Sequence, residues 1–277
     1  MKLNEFISMR YDCKFPEKLC KPAIDYYCVH SRGTRSLFIL EQMIRENDYT
    51  LHHDEEAYMS EFATESVPEL YEAFCHAAYV DAIQEWRKKW RTKTRYLSIC
   101  GCRSMGEAVH TAIHKAHESS VKHALHAAGR STARPRAAAK EYLAAEIMEK
   151  LQKEAFDREE YDNWSKTVCE RVRQIYRDHA FEDYTYGNAQ KLLNMSIKYT
   201  LSADNIDPAL SIFEVAHIPI DSVIMKIAKK KLGVSPMPSA WSKTDNMEDI
   251  LSYEKRFREA LPEGYTPLRW ECENWKN

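Results

Sequence analysis

Glycine is scarce in this chain, seven in 277 residues, while apolar residues recur at three- and four-residue intervals over long stretches. Tight hairpins and strand bulges draw on glycine, whereas a 3.6-residue period marks amphipathic helices. The sequence therefore predicts an all-α fold. Helices are expected from about Ser36 to Arg45, Val67 to Trp90, Ser104 to Ala127, Arg136 to Ala155, Asn163 to His179, Ala189 to Leu201, Ser222 to Leu232 and Met247 to Ala260. Two short runs, Tyr26 to Val29 and Arg95 to Ile99, are extended or helical on pattern alone. The tail from Leu261 onward, with Pro262, Gly264 and Pro267 ahead of Trp270 and Trp275, reads as an irregular segment docked by its aromatics. Glycine, serine and proline interrupt two alanine-rich helices between Gly129 and Arg136, which divides the chain into an N-terminal helical region, 1–130, and a second region, 131–277.

With 44% hydrophobic and 30% charged residues in 32.4 kDa, the chain can bury a substantial core. A net charge of -2 supplies no global attraction to nucleic acid, so a polyanionic partner has to be held by a local patch. The N-terminus lacks the apolar run of a signal peptide and no later stretch is long enough for a bilayer, so a cytoplasmic protein without a membrane partner is expected. The eight cysteines form no CxxC pair, which suits thiols in a reducing compartment. Cys100 and Cys102 with His110 and His114 match no zinc-finger spacing. His110, His114, His117, His123 and His126 have helical spacing but lack the glutamate of a His-Glu-x-x-His protease. No metal is expected, and a metal hydrolase is the weakest of the readings considered.

Two helix starts carry the chemistry. The stretch Tyr186-Gly187-Asn188-Ala189-Gln190-Lys191 reads as a glycine turn opening a helix, with a lysine in its first turn. Free backbone N–H groups there suit a phosphate, and the positive end of the helix dipole favours the neutral, nucleophilic amine of a nearby lysine. Lys191, Asn194, Met195 and Lys198 are expected on the face away from the core. Lys198, two turns deeper, is the second candidate nucleophile. Pro219-Ile220-Asp221 then opens another helix, where Asp221 is either an N-cap or a catalytic carboxylate.

Gly187-x-x-x-Lys191 followed by Pro219-Ile220-Asp221, after a helix and a short hairpin, resembles the active-site signatures of the helix-hairpin-helix DNA glycosylase superfamily. The likeness covers roughly residues 162–232. It implies a helix-hairpin-helix glycosylase-like helical fold, with Lys191 attacking C1′ of the nucleotide. Asp221 would assist deprotonation and stabilise the oxocarbenium-like transition state. The lysine-to-aspartate interval is longer than in many members, so the stretch from Asp204 to His217 has to form an inserted turn or short helix. No four-cysteine cluster signature is present, so no iron–sulfur cofactor, and no other cofactor, is expected.

A glycosylase must also hold duplex DNA and extrude a base. Arg87, Lys88, Lys89, Arg91, Lys93, Arg95 and Arg103 interleave with Trp86, Trp90 and Tyr96, a stripe that suits phosphate contact and stacking as well as it suits solvated cations beside core tryptophans. Arg130, Arg134 and Arg136, and Lys226 to Lys231, extend that footprint, while Gly187 and Asn188 meet phosphate. Trp241, Tyr253, Phe257 and Asn194 are candidates for the base pocket. The reading is a DNA glycosylase that excises a damaged or modified base, in repair of an oxidised base or in defence against phage DNA with hypermodified bases, leaving an abasic site with or without strand cleavage. The alternative is a non-catalytic all-helical DNA- or RNA-binding module. No obligate protein partner is inferred.

Overall fold

The computed structural model describes residues 1–30, 34–65, 68–91, 99–120, 131–153 and 155–275. These are mostly helical, with no strand among the described residues; one isolated bridge joins Lys2 and Thr50. The helices are α1 (Leu3–Arg10), α2 (Cys20–His30), α3 (Thr34–Glu46), α4 (His53–Glu65), α5 (Pro68–Arg91), α6 (Met105–Ser120), α7 (Ala133–Leu151), α8 (Arg158–Arg177), α9 (Tyr186–Leu201), α10 (Ser211–Val215), α11 (Ser222–Leu232), α12 (Met247–Glu259) and α13 (Pro267–Asn274). Among the described residues no helix is long and apolar enough to cross a membrane.

The chain divides into two compact units, Met1–Gln84 and Glu85–Asn277. α6 and α7, which flank the sequence break near Gly129, pack on each other within the second. In the first unit, Leu3, Phe6 and Ile7 of α1 meet Ile24 and Tyr27 of α2, Leu40 and Met43 of α3, and Phe74 of α5 in one apolar core. The run at Tyr26 to Val29 is helical, inside α2, because Ala23, Ile24 and Tyr27 fall on one buried stripe.

In the second unit, α9 packs against α6 and α8, and α7 packs against both of those. α8 starts at a reciprocal capping box, Asp157 accepting from the Glu160 N–H (2.8 Å) and Glu160 from the Asp157 N–H (3.3 Å). It ends in a Schellman turn, with Phe181 N–H donating to Tyr176 O (3.1 Å) and Ala180 N–H to Arg177 O (2.8 Å). Ala180 holds the left-handed position of that turn, φ 65°, and the Phe181 and Tyr176 rings meet edge to face beneath it. The turn swings the chain into Thr185, whose Oγ1 accepts from the Asn188 N–H and starts α9.

The expectation that Asn194 and Lys198 lie on an outward face of α9 is overturned. α9 is enclosed nearly all round, with Asn194 1% and Lys198 3% exposed. The stretch from Asp204 to His217 contains a short helix, α10. Residues 267–274, expected to be irregular, form α13, started by Thr266 and Pro267 at its first position.

Candidate functional site

Lys191 and Asp221 meet. Asp221 is the N-cap of α11, whereas Lys191, expected in the first turn of its helix, is the sixth residue of α9 because that helix starts at Tyr186; Lys191 Nζ is 3.1 Å from Asp221 Oδ2. The other carboxylate oxygen, Oδ1, accepts from the Val223 and Ile224 N–H groups at 2.8 and 2.9 Å. One carboxylate thus caps a helix and faces an amine, and each side chain keeps 12% of its surface exposed. The pair is largely buried, with a small part of each side chain still reachable.

What brings the two strands of chain together is a side-chain staple. Gln190 Nε2 donates to Ile220 O (3.0 Å) while Ile220 N–H donates to Gln190 Oε1 (3.2 Å), so one amide side chain pairs with a backbone peptide unit as a neighbouring strand would. Asn194 Nδ2 donates to Gln190 Oε1 and to Ile218 O. The segment before Asp221 is therefore bolted to the buried face of α9. Behind it, His217 Nε2 contacts Asp162 Oδ1 at 2.6 Å and Arg258 grips the same carboxylate with both nitrogens, at 2.9 and 2.8 Å. Burial works to raise the Asp162 carboxyl, but His217 and Arg258 outweigh it and hold it down at about 2.

Gly187 does not open a phosphate turn. It is the second residue of α9, its N–H donates to Thr244 O at 2.9 Å, and a Cβ on it would fall 1.7 Å from Trp241 O. The Asn188 N–H is already bound by Thr185, whose Oγ1 in turn donates to Ser242 O. The phosphate role expected of the Gly187 and Asn188 backbone is corrected accordingly, because both N–H groups have protein acceptors. Missing a Cβ, Gly187 lets the 3-10 turn Trp241–Lys243 dock on α9, which carries the Trp241 ring to 4.5 Å from Lys191 Nζ.

This arrangement borders a cavity of about 680 Å³ lined by Asn188, Lys191, Trp241, Thr185, Arg177 and Asp245 among others, a size typical of small-molecule sites. Asp245 is held by Arg173 (2.7 Å to each oxygen) and by Arg177 (2.8 Å). Burial alone would raise its carboxyl, yet the two guanidinium groups bring it below the usual range.

The remaining expected residues lie elsewhere in the fold. Arg87 is 4% exposed, and its guanidinium donates to Leu201 O and Ile206 O beyond the end of α9. A buried guanidinium spent on carbonyls is not a phosphate contact, and that expectation is corrected. Tyr253 and Phe257 are fully buried, Phe257 packed edge to face on Trp270, so they form core and not a base pocket. Asn194 belongs to the staple rather than to a pocket, although its Oδ1 has no partner among the described residues. Lys198, the second candidate nucleophile, is buried 2.7 Å from Glu271 Oε1. Burial opposes its charge, but Glu271 prevails and keeps it cationic, which removes it from covalent chemistry.

Lys88 and Arg134 are exposed at the surface, Lys88 beside Glu85. Arg91 ends α5, and Arg95 and Arg130 lie outside the described residues, as do Lys93, Tyr96, His123 and His126. His110 and His114 are exposed, whereas His117 is buried against Tyr176 Oη at 3.2 Å. Among the described residues no group of histidine, cysteine and acidic side chains is arranged to hold a metal ion.

Gln190, Thr185, Arg173 and Arg177 were not singled out in the sequence. Gln190 lies within the motif it serves, but a glutamine in a helix gives no sign that it will pair with a peptide unit thirty residues away. No family model, curated protein or solved structure matches this chain.

Proposed function

We propose that the second unit is a DNA glycosylase that excises a damaged or modified base from duplex DNA. The observation that carries the reading is the 3.1 Å approach to Asp221 Oδ2 of the Nζ of Lys191, which itself lines the cavity. Cleavage of an N-glycosidic bond passes through a sugar with oxocarbenium character. Asp221 would stabilise that positive charge and take a proton from the attacking group. Lys191, as its free amine, would bond to C1′ as the base leaves with the electron pair of the glycosidic bond; the new amine gives up a proton, and the C1′–O4′ bond then opens, O4′ taking a proton, to leave a protonated Schiff base. If Lys191 stays an ammonium, water activated by Asp221 attacks instead and a plain abasic site results. The cations on α11, Lys226, Lys229 and Lys230, are exposed just beyond Asp221 and suit phosphates flanking the lesion.

The test is borohydride trapping on duplexes carrying oxidised, alkylated, deaminated, hydroxymethylated and glucosylated bases, with abasic sites scored in parallel. An adduct lost in Lys191→Ala but kept in Lys198→Ala establishes the covalent route and separates repair of an oxidised base from removal of a hypermodified one. Abasic sites without an adduct, lost in Asp221→Ala, establish the hydrolytic route. DNA binding that survives in all three variants, with neither product on any base, leaves a non-catalytic binding module.

A further inference from the structure

In the first unit, α1 and α4 wall a cavity of about 460 Å³. Phe6, Met9 and Arg10 come from α1, and His53, Glu56 and Ala57 from α4, each set at i, i+3 and i+4, so each helix turns one stripe to it. Phe6 belongs to the core of the unit, whereas Met9, on the same stripe, is 76% exposed. A flexible thioether beside a concave apolar wall is suited to fold over a guest. The acid on the wall, Glu56, is bonded by the Met1 ammonium and its charge is met within the unit. The donors are not spent: neither Arg10 nor His53 has an ion pair or a side-chain hydrogen bond among the described residues. An arginine free in water is ordinary. One that is free on the wall of an apolar hollow, with the local acid already paired, offers a carboxylate a charge-assisted, two-pronged partner while the hollow takes an apolar body.

We infer that the first unit binds an amphiphilic anion, a carboxylate on a medium-length apolar chain, with the head bonded by Arg10 and His53 and the chain lying along Phe6, Met9 and Ala57. Arg10 supplies the charge and His53 a ring N–H. The site uses residues of the first unit alone, so it stands or falls independently of the glycosylase reading.

The experiment titrates the full-length protein, carrying ¹³C-methyl methionine, with decanoate, decanol and decylamine below their micelle-forming concentrations. The Met9 methyl resonance, assigned with Met9→Leu, reports on this cavity and not on anions bound elsewhere. Decanoate should shift it saturably and bind at least about tenfold tighter than decanol, with decylamine weaker than either. Arg10→Gln should bring decanoate to within about threefold of decanol, which keeps its contacts with the hollow. Lys21→Gln removes an equal charge from an exposed position on α2, outside the cavity, and leaves the preference as it was. Ala57→Trp puts an indole into the cavity and abolishes binding of decanoate and decanol alike. Arg10 and Ala57 are both exposed, so melting temperatures close to wild type are expected for these variants. Decanol binding as tightly as decanoate, a preference that survives Arg10→Gln, or no saturable Met9 shift with any of the three overturns the inference.

Discussion

Asp221 faces two ways, its Oδ1 on the Val223 and Ile224 N–H groups and its Oδ2 on Lys191, thirty residues earlier in the chain. The two duties separate by substitution. Asp221→Ala loses the cap and costs about 1–2 kcal/mol, whereas asparagine caps nearly as well as aspartate. Asp221→Asn should therefore unfold in urea closer to wild type than Asp221→Ala does, while both lose base release. Equal stability of the two variants would show that the cap is not what the carboxylate contributes.

Gln190→Ala leaves the Ile220 N–H and C=O without their partners inside the protein. A loss of about 2–4 kcal/mol is expected. Gln190→Glu keeps an acceptor for the Ile220 N–H but loses the donor to Ile220 O, so it should fall between. Thermal melts measure the stability, and single-turnover rates on a base that the wild type releases should fall further than substrate affinity, because the staple sets the position of Asp221 and touches no ligand.

Gly187→Ala puts a methyl group against the Trp241 carbonyl, 1.7 Å from its oxygen. Backbone cannot move aside as a flexible side chain would, so the 3-10 turn must lift away. The variant should lose about 3 kcal/mol and change the fluorescence of Trp241, and a melting temperature like that of wild type would refute the close approach.

Ala180→Gly should stabilise. At φ 65° an alanine bears the strain of the left-handed region, and glycine there removes about 1 kcal/mol of it. Urea denaturation should show a higher midpoint with an unchanged slope.

Burial, with Arg136, His114 and Lys140 adding positive charge around it, lowers the His117 pKa to about 3 from 6.5. The unfolded chain binds this proton below pH 6.5 and the folded chain does not, so its contribution is complete above 6.5 and is lost as pH falls toward 3. At pH 5 the loss is about 2 kcal/mol. In His117→Gln the stability measured by urea unfolding should change less between pH 7 and pH 5 than in wild type.

Much of the second unit was legible because its helices carry clean stripes. The span expected from Ser222 to Leu232 is α11 to the residue, bounded by Asp221 before it and Gly233, at φ 71°, after it. α4 was missed since its polar and apolar residues follow no single face, and α13 since eight residues with tryptophans and proline look irregular in isolation. Locally, Asn194 and Lys198 read as solvent-facing. Their burial depends on Ile218 and on Glu271, which lies 73 residues beyond Lys198, and no local period reports such partners. The spacing that suggested Lys191 and Asp221 contained no information on the staple between them.

The missing carbon at Gly187 gives that position a meaning other than the one it suggests when read along the chain. Its N–H is held by Thr244 and its empty side is filled by the Trp241 carbonyl, so the constraint on it comes from residues more than fifty positions downstream. Any change that shortens or reshapes the Trp241 turn would open position 187 to a side chain, while Lys191 and Asp221 stayed where Gln190 holds them. The glycine therefore answers to the Trp241 turn, and the glutamine to the Lys191–Asp221 pair.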